Sequence, residues 1–125
     1  MNKPIIAAQL YTVREQMQTR QQIAQGLRKV KEIGYPAVQV SGIGKIDPKE
    51  LKDLLDQEGL TVCATHVSWE RMTADLDALI AEHKLLNCPN VGLGSMPAEY
   101  RVDKDGWINF AKEASAIGRK LKDQG

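Results

Sequence analysis

The chain has 125 residues, 42% hydrophobic and 26% charged, which fits one globular domain with a real core and excludes a disordered or fibrous chain. Lysine and arginine number 17 against 16 for aspartate and glutamate, so no net field recruits nucleic acid. The N-terminal apolar run, residues 5–8, stops at Gln9 and is too short for a leader or a membrane span, which leaves the cytosol as the expected compartment.

The first segment, PIIAAQL, predicts a short strand. Thr19 and Gln22 then form a capping box, opening a helix whose apolar stripe is Ile23, Leu27, Val30 and Ile33. Gly34 supplies the left-handed residue that ends it. The second unit repeats this grammar. AVQVS is the strand, Asp47 an N-cap with Pro48 in the first turn, Leu51, Leu54 and Leu55 the buried face, and Gly59 the stop.

In the third unit TVCAT is the strand, and Thr73 is the expected cap of a helix with Leu76, Leu79 and Ile80 inward, ending near Asn87 with Pro89 behind it. In the fourth, NVGLG is the strand, and Phe110, Ala114, Ile117 and Leu121 form a helical stripe after a longer loop. Strands alternating with helices require right-handed crossovers between parallel strands, so the fold class is α/β, in four parallel βα units.

Four such units build either an open doubly wound, flavodoxin-like sheet or half of a (β/α)8 TIM barrel. Alternation along the strands places Ala7, Gln9 and Tyr11, then Ala37, Gln39 and Ser41, then Val62, Ala64 and His66 on one face. Amides and a hydroxyl at the carboxyl ends of that face suit a polar pocket better than a helix contact, which favours the half-barrel. On this reading residues 1–125 are one domain, and the sequence stops where a fifth strand is expected.

Several residues have both a functional and a structural reading. His66 ends a strand on the face where α/β ligands bind, or it holds a loop by a hydrogen bond. Tyr11 covers a sugar or packs at the core edge, and Trp69 stacks on a ligand from a loop or covers a helix. Arg14 is expected in a surface ion pair with Glu15 or another acid.

His83, four residues after Leu79, reads as a packing histidine. Gly42 and Gly44 read as a turn, because the rest of a phosphate-binding fingerprint is lacking. Glu99, Asp103 and Asp105 are either a solvated loop or a cation site. Cys63 and Cys88 have no metal-site spacing and read as reduced thiols.

The stretches AAQLYTVRE, EIGYPAVQVSGIG and EGLTVCATHVSWE resemble, in order and spacing, the N-terminal half of the sugar phosphate isomerase/epimerase family. That family has the xylose isomerase-like TIM barrel and includes inosose dehydratases and endonuclease IV relatives. The resemblance implies metal-assisted proton transfer on a small sugar or polyol. It implies a divalent cation, Mn, Zn or Mg, held by Glu, Asp, His and Glu from the C-terminal half, outside this chain.

It also implies substrate contacts at Tyr11, Gln39, His66 and Trp69, with Gln39 standing where relatives often carry Glu. Without the metal-binding half, the fragment is expected to be inactive alone and to form a homo-oligomer through its exposed strand edges. The competing reading is a non-catalytic α/β module that binds a small ligand or a partner.

Overall fold

The capping box forms as the sequence dictates: the Gln22 amide N–H donates to the Thr19 hydroxyl, and the Gln22 side chain accepts from the Thr19 N–H. It opens α1 (Arg20–Ile33), which ends at Gly34 with φ 114°. The computed structural model describes residues 3–125. Met1 and Asn2, which head the stretch read above as neither leader nor span, lie outside the described residues.

The other elements are β1 (Ala7–Gln9), a 3-10 turn (Leu10–Gln16), β2 (Ala37–Val40), α2 (Pro48–Glu58), β3 (Thr61–His66), α3 (Trp69–Ala74), α4 (Leu76–Leu85), β4 (Val91–Gly92), a second 3-10 turn (Ala98–Tyr100) and α5 (Lys104–Asp123). The Asp47 carboxylate accepts from the Lys49 and Glu50 N–H groups at the start of α2, and Gly59 closes that helix at φ 63°. The third helical segment departs from expectation. Ser68, not Thr73, is the cap, and the segment breaks at Asp75 into α3 and α4. Thr73 lies inside α3, its hydroxyl donating to the Trp69 carbonyl.

The strands are all parallel and lie in the order β1-β2-β3-β4. A doubly wound sheet reverses its strand order near the middle; a barrel adds each strand beside the last. Sequential order with crossovers of one hand carries the helices along one face, so the sheet has the architecture of half a TIM barrel and the flavodoxin-like alternative is excluded. Accordingly α1 packs on α2 and α2 on α4.

The main core joins the helix stripes to one face of the sheet: Ile23 and Leu27 from α1, Leu51 and Leu55 from α2, and Val38 and Val62 from the strands. Ile33, expected on the stripe of α1, is the last residue of that helix and is 70% exposed. A second cluster gathers Val67, Trp69, Met72 and Leu79, with Phe110, Ala114 and Ile117 of α5 packed against it. Among the described residues no helix is long and apolar enough to cross a membrane.

Register decides which side chains share a face. β1 and β2 pair regularly, Gln9 beside Gln39. Between β2 and β3 the register slips: Val38 lies beside Val62, but Gln39 lies beside Ala64, so Cys63 is one residue too many on β3. This bulge places Val62 with Val38 against the helices, where plain alternation had placed it on the open face with Ala64. Beyond the bulge, Thr65 turns to the helices and His66 away from them.

The middle and the last turn of α1 set a clear energetic contrast. Leu27→Ala empties a fully buried site and should lower stability by about 2–5 kcal/mol. Ile33→Ala should change it by no more than about 0.5 kcal/mol. Urea unfolding of the two variants measures both; equal losses would contradict the packing described.

Candidate ligand site at the strand ends

β2 and β3 bring Gln39 and His66 together. The Gln39 Nε2 and His66 Nε2 atoms are 2.9 Å apart, and the Ser41 hydroxyl donates to Gln39 Oε1 at 3.1 Å. Ser41 is 4% exposed, Gln39 is half-buried, and His66 is exposed. Three residues expected on one polar face therefore form a single chain of hydrogen bonds at the carboxyl ends of adjacent strands.

Room for the imidazole comes from β4. A Cβ at Gly92 would lie 2.5 Å from the Thr65 carbonyl oxygen and 2.9 Å from His66 Cδ2, and one at Gly94 would lie 3.8 Å from His66 Nδ1. A side chain at Gly92 would crowd the ring, whereas one at Gly94 would meet it only in ordinary contact, so Gly92 shapes the site. Its relation to His66 appears only when β3 and β4 pair; nothing in the linear sequence marks it.

Tyr11 lies on the first 3-10 turn and is 49% exposed, its ring against Gly42: a Cβ there would come within 2.7 Å of Tyr11 Cδ2. Among the described residues Arg14 makes none of the expected ion pairs. Its guanidinium sits 4.3 Å from the centroid of the Tyr11 ring and donates to the Tyr11 carbonyl, because a cation one 3-10 turn away reaches the ring face before it reaches an acid. The Gly42 and Gly44 segment is a turn packed on residues 17–18, with Gly44 N–H donating to the Met17 carbonyl.

Trp69 is only 9% exposed. Its ring tilts against Phe110 at 4.9 Å and meets Tyr100 edge-on at 6.1 Å, so the expected ligand-stacking face is occupied by protein. The Trp69 N–H donates to the Tyr100 hydroxyl, which donates in turn to Glu113. That last bond favours the protonated phenol and holds Tyr100 above the usual tyrosine range.

His83 is the packing histidine that its position foretold. Its Nδ1 donates to the Leu79 carbonyl, so its Nε2 accepts from the Thr65 hydroxyl at 2.7 Å. The Asp103 carboxylate caps α5 by accepting from Gly106 N–H. Cys63 and Cys88 are free, and burial, first among its causes, pushes the Cys88 thiol up.

The described residues do not fit the cation that the family resemblance implies. No three or more His, Cys, Asp or Glu side chains come together among them, and the strand ends offer one imidazole with amides and a hydroxyl. These groups donate and accept hydrogen bonds, as binding sugar hydroxyls requires. A separate cleft of about 720 Å³, lined by Ile80, Lys84, Pro89, Leu121 and Lys122, opens at the other end of β4, away from this pair.

The crowding at Gly92 can be tested. Gly92→Ala should displace the His66 ring, shifting its ring-proton resonances, and should destabilise the fold by about 1–3 kcal/mol. Unchanged His66 resonances in that variant would contradict the packing of β4 on the ring.

No family model matches the sequence, and no curated protein matches it. Among solved structures the chain is similar to the sugar phosphate isomerase/epimerase from Parabacteroides distasonis ATCC 8503, with a TM-score of 0.61 at 19% identity over 98% of this chain and 52% of that chain. The chain thus spans about half the length of that protein. The likeness is one of fold, and it agrees with four βα units arranged as half a TIM barrel.

Proposed function

We propose that this chain forms the substrate-contacting half of a site like that of sugar phosphate isomerases and epimerases, binding a small sugar or polyol at the carboxyl ends of its strands. The observation that carries this reading is the bonded Gln39–His66 pair, held by Ser41 on the face turned away from the helices. In barrels that end of the strands is where ligands bind. Gln39 and His66 orient ligand hydroxyls, and Tyr11 flanks them. Trp69, packed on Phe110, is assigned no ligand contact.

In a complete site of this kind, carboxylates and a divalent cation would polarise a carbonyl and move the proton; the chemistry assigned to this chain's residues is binding and orientation. A non-catalytic small-ligand module is the second reading, favoured by the hydroxyl, amide and imidazole make-up of Ser41, Gln39 and His66. Cytoplasmic residence belongs to the proposal and draws support from the two free thiols. So does self-association: among the described residues β1 and β4 each pair on one side only, and such edges recruit a second copy, most simply in a two-fold dimer.

Isothermal titration with a ketopentose 5-phosphate and with a cyclic polyol tests the binding claim. His66→Ala and Gln39→Ala should each weaken binding on the order of tenfold, with unfolding midpoints within a few degrees of the native chain. Absence of binding to either ligand, or large stability losses with affinity intact, would overturn the proposal. Turnover of the ketose by the chain alone would exclude the purely binding reading. Light scattering should show a dimer or larger species; a monodisperse monomer would refute the self-association claim.

A further inference from the structure

His66 contacts Gln39 through one ring nitrogen, Nε2, and the chemistry of the partner fixes what that nitrogen can be. The Gln39 amide turns Oε1 toward the Ser41 hydroxyl, which donates to it at 3.1 Å, and its NH₂ group toward His66 across 2.9 Å. An amide nitrogen only donates, so Nε2 must accept, and the single proton of a neutral imidazole then resides on Nδ1. Among the described residues Nδ1 bonds no protein group, and it lies toward Gly94, where the missing side chain leaves space.

We infer that Ser41 and Gln39 act as positioning residues that hold His66 in the Nδ1–H tautomer, so that it meets its ligand as a hydrogen-bond donor. The ligand atom in contact is then an oxygen acceptor: a carbonyl, a hydroxyl lone pair or an anionic oxygen of a sugar derivative. A ring in this state turns no lone pair toward the ligand and takes no proton from it. Gln39 is the specificity element. A carboxylate in its place would accept from Nε2–H, move the ring proton and present a lone pair to the ligand instead. This inference rests on the sugar-binding reading above, but the tautomer is measurable without any ligand.

The test is long-range proton–nitrogen correlation NMR on the full chain carrying ¹⁵N-histidine, at a pH where both rings are neutral. His83 is an internal reference, because its Nδ1–H is committed to the Leu79 carbonyl. His66 should show the Nδ1–H pattern. Gln39→Glu should switch His66 alone to Nε2–H, and Ser41→Ala should give His66 a mixture while His83 stays unchanged. An Nε2–H pattern for His66 in the native chain, or no switch in Gln39→Glu, would overturn the inference.

Titration with a ketopentose 5-phosphate separates the two claims. A shift of the His66 Nδ1 resonance supports both. A native Nδ1–H tautomer undisturbed by that ligand or by a cyclic polyol overturns the sugar-binding reading and supports the tautomer assignment. A ligand that binds to His66 in the Nε2–H form overturns this inference alone.

Discussion

One extra residue in a strand governs the functional face. In a regular parallel pair Gln39 would lie beside Cys63, and Thr65, not His66, would share its face. The bulge at Cys63 instead sets Gln39 beside Ala64 and brings His66 within hydrogen-bonding distance of the amide. The same slip turns Thr65 inward, where its hydroxyl meets His83 of α4. A residue that disrupts the ladder locally therefore satisfies two imidazoles, one buried and one exposed, and separates a packing histidine from a ligand-facing one.

The bulge has this effect because the remainder of the fold is regular. Local signals fix the helix ends, apolar stripes dock the helices on one face, and sequential strand order leaves the other face free of them. The energetic weight lies in the helix-facing core, with Leu27, Val38 and Leu55 almost fully buried. The polar chain Ser41–Gln39–His66 contributes little to stability by comparison, and its value is geometric. It holds an exposed ring in one orientation against a rigid sheet.

The parts legible in the sequence are those set by neighbours along the chain. Thr19 with Gln22, Asp47 with Pro48, and Gly34 and Gly59 each act within one helical turn, so composition and spacing reveal them. His83 was legible for the same reason, four residues from Leu79. Alternation alone gave Gln9 and Gln39 a common face, and it gave His66 the right face only because the bulge follows Val62, whose own placement it reversed.

The illegible parts depend on contacts between distant segments. Trp69 is buried because α5 brings Phe110 over it, and Gly92 matters because it sits beside His66 across the sheet. Ser68 prevails over Thr73 as a cap because the chain turns into a helix directly after β3. Arg14 could be assigned to Tyr11 only once the residues after β1 were seen to wind into a 3-10 turn.

The β2–β3 register carries the whole account, and nuclear Overhauser contacts in the isotopically labelled chain read it directly. The account predicts backbone contacts of Gln39 with Ala64, together with contacts between the Gln39 side-chain amide protons and the His66 ring. Backbone contacts of Gln39 with Cys63, and a His66 ring facing the helices, would contradict it.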